Sequence, residues 1–310
     1  MPHKDENPMS SLLTRIGDGL LAKVLASECK KAGVTRVTTH LPFGKIESLQ
    51  RANASGATGE AIVLLHGVTA DNTAWLKFAK VFRSPLRVLI PDLAGHGHSV
   101  VDLALDYGIA AQSERLKLWL TRQGVTRAHL IGNSMGGAIA LHLAASNPQL
   151  VASMVLIDAG GVACTPSWLQ QQFARTGVSP MIEINSAGDY RAMMHIGMAA
   201  PPYIPGIIVS ALARAVVRRH AINQKIVQDV VRDLDQTASL TRISAPVQII
   251  WGAEDRVLHV DNAAFLHQQL RNSRVLVMPD IGHMPMIEAP KAVAEACMGF
   301  LADFSMARSA

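Results

Sequence analysis

Between His129 and Ala145 the chain reads HLIGNSMGGAIALHLAA, a short apolar run that gives way at once to an alanine-rich segment. At the junction stands Ser134, with Gly132 two residues before it and Gly136 two after. A hydroxyl set between glycines where a strand becomes a helix is placed to act as a nucleophile, because the glycines admit a turn tight enough to hold the serine under backbone strain. The same string can be a plain glycine-rich turn whose serine caps the helix. The two readings separate on whether the chain also supplies a base and a group to orient it, since a serine hydroxyl is a weak nucleophile at neutral pH.

Both groups follow in the order serine, acid, histidine. Past the last strand pattern, MPDIGHMPMIEAP puts His283 on a loop ahead of the final helix. His66, His96 and His98 precede the serine, while His195 and His220 fall in a helical interval, so His283 is assigned as the base. The alternative for it is a loop histidine that only hydrogen-bonds. For the acid, VQIIWGAEDRVLHV ends an apolar strand and delivers Glu254 and Asp255 at its carboxyl end. Asp255 is preferred because Glu254 is one residue nearer the strand and should point away. Asp158, at the end of VLIDAG, is the other well-placed carboxylate, and Asp280 reads as a turn former.

Acyl transfer through a serine also needs two backbone donors for the oxyanion. The N–H of Met135 directly follows the serine at the positive end of its helix, and the second is expected from Val68, in the loop after AIVLLHG. His66 should tie that loop together.

The elements that must hold these groups are legible from Ala61 onward. AIVLLHG, LRVLIPDL, RAHLIG, VASMVLIDAG, VQIIWG and SRVLVMPD are continuous apolar runs, as expected of parallel strands covered on both faces. Helical patterns alternate with most of them, which predicts a mostly parallel, doubly wound α/β sheet. The alternation breaks from Gly161 to Ala245, where only helical patterns appear, and this interval is expected to form an inserted cap over the carboxyl ends of the strands. The predicted division is an N-terminal amphipathic helix in 1–32, a core in 33–160 and 246–310, and a helical cap in 161–245. Two earlier segments, VTRVTTHLP and KIESLQRAN, flank the turn FGK as a strand pair, the second alternating as if exposed on one side. ANASGATGE, residues 52–60, reads as a loop.

With 310 residues, 49% of them hydrophobic, the chain can bury a substantial interior. A formal charge of +5 would admit nucleic acid, but only 17% of residues are charged and no dense basic block interleaved with aromatics occurs, so no nucleic-acid partner is expected. Cys29, Cys164 and Cys297 lie far apart with no CxxC or Cys/His pairing, which suggests neither a disulfide framework nor a metal site. MPHKDENPMSS lacks the features of a secretory signal and no apolar stretch spans a bilayer, so the expected setting is cytoplasmic, with any membrane contact at the surface.

HGVTADNTAW, PDLAGHGHS, GNSMGG, WGAEDRV and GHMPMIEAP, in that order, resemble the α/β-hydrolase superfamily from residue 61 to the end. ADNTAW and the segment PPYIPGIIVSALARAVVRR are similar to bacterial lipases and esterases related to the monoacylglycerol lipases. The resemblance implies the α/β-hydrolase fold and carboxylester hydrolysis through Ser134, Asp255 and His283, with no metal or organic cofactor. Thr69 departs from it, because these lipases often carry glycine there. GNSMGG followed by IDAGGVACTPS is also similar to hydrolases that cleave carbon–carbon bonds in aromatic ring-fission products, although their glycine-rich oxyanion loop and the tryptophan after the histidine are replaced here by VTADN and Met284. A ligand receptor on a hydrolase scaffold, without turnover, is the non-enzymatic alternative.

Two further features bear on substrate and partners. The cap interval carries Met181, Met193, Met194 and Met198. Methionines of this kind either glue a cap to its domain or line an adaptable acyl pocket, and Met194 and Met198 are the candidates for substrate contact. In the first helix, Leu12, Leu13, Ile16, Leu20 and Val24 share one face at 100° per residue. That face is expected either to pack on the protein or a second subunit of a homo-oligomer, or to lie at a membrane surface with Lys23, Lys30 and Lys31 drawn to anionic lipid.

Overall fold

The computed structural model describes residues 8–53 and 59–307. Helix α1 (Pro8–Ala32) leads into the hairpin β1 (Thr35–Leu41) and β2 (Gly44–Arg51). Strand β3 (Glu60–Leu65) is followed by a 3-10 turn at Asn72–Trp75 and α2 (Leu76–Val81), then by β4 (Arg87–Pro91) and α3 (Ile109–Arg122). The next units are β5 (Arg127–Ser134), α4 (Met135–Ser146) and β6 (Val151–Ala159). Only helical elements separate β6 from the next strand: α5 (Trp168–Thr176), α6 (Ala187–Gly197), α7 (Gly206–Arg218), α8 (His220–Arg232) and a 3-10 segment at Thr237–Arg242. The chain closes with β7 (Val247–Gly252), α9 (Asp261–Gln269), β8 (Ser273–Met278), α10 (Pro285–Glu288) and α11 (Pro290–Ala307). Five positions of the loop expected over 52–60, and the first seven of the segment 1–32, lie outside the described residues.

The strands form one sheet in the order β1-β2-β4-β3-β5-β6-β7-β8. The β1–β2 and β2–β4 pairs are antiparallel, and every pair from β4 through β3, β5, β6 and β7 to β8 is parallel. This is the mostly parallel, doubly wound sheet that the alternation of apolar runs and helices predicts, in the α/β-hydrolase arrangement that the resemblance implies. Strand side chains alternate between faces, so a continuous apolar run serves two cores at once. In β3, Ala61, Val63 and Leu65 enter a core shared with α3, α4, α8 and α9, while Ile62 and Leu64 enter a second one shared with α2 and α11. On the second side Trp75, Phe78 and Phe82 are fully buried, with Phe78 and Phe82 stacked at 4.8 Å.

Two expectations are corrected and a third, which left alternatives open, is narrowed. Strand β2 is not open on one side, because Ile46 to Leu49 are buried in succession between β1 and β4. Strand β8 is not covered on both faces: it pairs with β7 alone at the sheet edge, and Val275, Leu276 and Val277 are 37–44% exposed. In α1, the helix docks through another stripe than the one expected. Gly17 sits against the backbone of Ile207 in α7, Asp18 pairs with Arg214 at 2.6 Å, and Leu25, Cys29 and Ala32 join the second core. Leu12, Leu13, Ile16, Leu20 and Val24 remain 39–56% exposed. Close approach explains the choice, since glycine at 17 lets two helix backbones meet where a leucine would hold them apart. No helix among the described residues is long and apolar enough to cross a membrane.

Candidate active site

Parallel strands end in one direction, and the carboxyl ends of β5, β6 and β7 together with the loop after β8 bring Ser134, Asp158, Asp255 and His283 to one edge of the sheet. Ser134 is the last residue of β5 and Met135 the first of α4. Its backbone sits at φ 53°, ψ −119°, a conformation that L side chains rarely adopt. The hydroxyl makes no capping bond to the helix, so the plain reading as a helix-cap serine does not describe it. Glycine is required around it by contact: a Cβ at Gly132 would collide with the carbonyl of Gly136, and one at Gly136 with the carbonyl of Leu65. The strain is held by pairing, the Ser134 carbonyl accepting from the Gly160 N–H at 2.8 Å just beyond β6.

Asp255 and His283 are joined directly, Nδ1 of the imidazole lying 2.8 Å from Oδ2 of the carboxylate, with both residues buried. The other carboxylate oxygen, Oδ1, accepts from the N–H groups of Val257 at 2.7 Å and Leu258 at 3.0 Å. These three donors fix the carboxylate and hold the Nδ1 proton toward it, which leaves Nε2 as the ring nitrogen able to accept a proton. Glu254, two residues past the end of β7, is exposed.

Two residues not assigned from the sequence tie the site together. Asn133 sits directly before the serine, and its Nδ2 donates to the carbonyls of Ile157 at 3.1 Å and His283 at 3.0 Å, which fastens the end of β5 to the histidine loop. Glu288 accepts from Gly282 N–H at 3.0 Å through Oε1 and from Ala200 N–H at 3.0 Å through Oε2. It therefore clamps the residue before His283 to the segment after α6. A polar side chain inside a buried strand end is the signal that could have marked Asn133; Glu288 lies in the quoted MPMIEAP but shows its role only in three dimensions.

Met135 follows the serine directly, and the loop that carries Val68 approaches from the end of β3. Gly67 packs so closely that a Cβ there would lie 3.1 Å from the Ser134 Cβ, which brings the Val68 loop against the nucleophile turn. The loop closes as a turn, the Ala70 N–H bonding the Gly67 carbonyl at 3.3 Å, and Thr69 takes φ 60° within it. That left-handed backbone accounts for the glycine often found there in the resembling lipases, and a β-branched residue holds it at a cost. His66 anchors the loop as expected. Its Nε2 accepts from the Leu93 N–H at 3.1 Å, so Nδ1 carries the proton donated to the Gly67 carbonyl at 2.8 Å. Burial keeps this imidazole neutral by pushing its pKa down. Asp92 supports the same region, accepting from Asn72 and His98 N–H groups, and burial with Asp71 nearby pushes it up to about 7.

Met198 is buried and runs along the histidine loop, where a Cβ at Gly282 would meet its Cα at 2.9 Å. The His283 N–H bonds the Gly197 carbonyl at 2.9 Å, and Met194, one turn earlier in α6, is also buried. Asp158, Asp255 and His283 form the only group of side chains with metal-binding potential found among the described residues, their ligand atoms lying within 4.8 Å of one another. The Asp255 carboxylate already accepts from three N–H donors, so the cluster is built as a hydrogen-bonded unit.

The sequence model of the alpha/beta hydrolase family matches residues 62–296. Lipase 3 of Moraxella sp. (strain TA144) is 30% identical over 277 residues, which cover 88% of this chain and 86% of that protein. Monoacylglycerol lipase abhd6-A of Xenopus laevis is 26% identical over 270 residues, 84% of this chain and 80% of its own. Among solved structures, a membrane phospholipase A described as a bacterial virulence factor superposes with a TM-score of 0.89 at 29% identity, covering 96% of this chain and 95% of that one.

Proposed function

Because the chain belongs to the alpha/beta hydrolase family, we propose that it is a serine carboxylester hydrolase of the lipase and esterase type, acting on apolar acyl esters through an acyl-enzyme. The observation that carries this reading is a strained serine with an uncapped hydroxyl, whose neighbour Asn133 bonds the backbone of a histidine held at Nδ1 by a buried carboxylate. In this reading Ser134 attacks the ester carbonyl, His283 takes its proton at Nε2 and returns it to the leaving alcohol, and Asp255 orients the imidazole and stabilises its charged form. The N–H groups of Val68 and Met135 receive the oxyanion, the second helped by the α4 dipole. Water then repeats the sequence on the acyl-enzyme. The core is assigned to 33–160 and 246–310 and the cap to 161–245. The test is a panel of p-nitrophenyl esters from acetate upward beside an emulsified glyceride and a phospholipid, with fluorophosphonate labelling mapped to Ser134. Turnover of none of these, together with absence of the label, overturns the reading.

Met194 and Met198 are proposed to line the acyl pocket, since Met198 lies beside the His283 loop and Met194 is buried one turn earlier. Exchanging Met198 for Trp is expected to lower kcat/KM for octanoate about tenfold while sparing acetate, because added bulk excludes chain length rather than the reacting carbonyl. Equal losses on both esters assign Met198 to packing alone.

The exposed stripe of α1 is proposed as a peripheral contact with an anionic membrane surface, for a chain that otherwise resides in the cytoplasm. Lys23 and Lys30 project from the same sector as Leu12, Ile16 and Leu20 at 100° per residue, an arrangement suited to headgroups and acyl boundary together. Co-sedimentation with phosphatidylserine-containing vesicles should be reversible and weakened by salt, and Ile16→Glu with Leu20→Glu should reduce it about tenfold. Binding that survives both changes, or a change in oligomeric state instead of vesicle binding, removes the membrane assignment.

A further inference from the structure

Asp158 ends β6 beside the site, yet the proposed mechanism gives it no step. It is fully buried, and its backbone takes φ 44°, which aspartate tolerates better than most residues. One oxygen, Oδ1, accepts from the Gly252 N–H at 2.9 Å. The other, Oδ2, meets no donor in the surrounding protein. Its near neighbour is the carboxylate of Asp255, an oxygen of which lies within 4.8 Å of one of its own. Two ionised carboxylates offer only acceptors, so a bond between the two can form only when one of them carries a proton.

The donors around each group decide which one does. Asp255 receives three N–H groups, from Val257, Leu258 and His283, and all three stabilise its ionised form. Asp158 receives one. We propose that Asp158 is a neutral carboxylic acid donating its O–H to Asp255, so that the two groups share a single negative charge, and that it is a positioning residue of the site. The charged and titratable groups facing it are Asp255 from the loop after β7 and, from the segment after β8, His283 and Glu288. Burial, then the charge of Asp255, pushes the Asp158 carboxyl well above the usual carboxylate range, in the same direction as the geometry. The O–H draws charge from Asp255 and leaves less of it to hold a proton on the histidine. In the proposed reaction this keeps His283 free to accept the serine proton at lower pH.

The inference rests on the ester-hydrolase reading for its effect on turnover, but the proton itself is testable without turnover. Asp158→Asn keeps a neutral donor and tolerates the left-handed backbone. It is expected to lower kcat a few-fold, because an amide is a weaker donor than a carboxylic acid, and to leave the acid limb of the kcat/KM profile within about 0.2 pH units of wild type. Asp158→Ala removes the donor and should raise that limb by about half to one pH unit. An ionised Asp158 predicts instead a fall of about one unit for Asp158→Asn, as a negative charge is lost beside the base. Infrared spectra at neutral pH give the independent measurement: wild type should show a protonated-carboxyl carbonyl band that Asp158→Asn lacks. Identical spectra, or a lowered acid limb in Asp158→Asn, overturn the proposal whatever esters the protein hydrolyses.

Discussion

Ser134→Ala is expected to lower ester hydrolysis by about four to six orders of magnitude while the protein stays folded. In barrier terms that is about 5–8 kcal/mol, more than a lost hydrogen bond or a small cavity can account for. The size follows from the route: without the hydroxyl no acyl-enzyme forms, and only substrate binding and the backbone donors remain to assist attack by water. The fold is spared because the hydroxyl caps nothing and the strained turn is held by the Gly160 N–H on the Ser134 carbonyl, a backbone bond that alanine keeps. His283→Ala should fall to a similar level, and the double variant scarcely lower, since the two act as one unit. Steady-state rates on p-nitrophenyl butyrate, with circular dichroism as the folding control, measure this. A loss of less than tenfold in Ser134→Ala means the serine is not the nucleophile.

Asp255→Asn should cost about 10³- to 10⁴-fold, and for a different reason. The asparagine carbonyl would stay on the Val257 and Leu258 N–H groups that now fix Oδ1, which turns the NH₂ toward His283. Two donors cannot face each other, so the imidazole is driven to the other tautomer, with its proton on Nε2 where the serine proton must go. The loss should therefore fall on kcat, with little change in KM. Asp158→Asn, losing only a few-fold, is the internal comparison. A near-normal Asp255→Asn beside an inactive Asp158→Asn would move the acid from the end of β7 to the end of β6.

Much of this architecture was legible in the sequence because each feature leaves a local mark. Six apolar runs, alternating with helical patterns, define the parallel part of the sheet, and the glycines around Ser134 announce a turn that side chains could not enter. Asp255 and His283 stand out in the sequence by their places after strand patterns, and the structure puts the two in contact. What was not legible depends on neighbours remote in sequence. An apolar run looks the same at the edge as in the middle, so the exposure of β8 needs the strand order. The docked face of α1 was chosen by Gly17 meeting the Ile207 backbone, which hydropathy cannot weigh against a row of leucines. The clamps made by Asn133 and Glu288 and the single donor on Asp158 are likewise facts of assembly.

The bond from Asn133 to the His283 carbonyl spans 150 residues, and that span orders events in time. A chain emerging from the ribosome presents the serine, its turn and its helix well before the acid and the base have been synthesised. Under the proposed mechanism the nascent chain is thus inert by construction, without its acid and base until β7 and β8 have joined the sheet. The same dependence works in reverse during unfolding. The strands that carry the acid and the histidine loop are added from one edge, so the first opening of that edge silences the site while the β3, β5 and β6 centre still stands. Loss of activity in such a molecule should precede loss of its secondary structure, which makes turnover a sensor of the sheet's last-added strands.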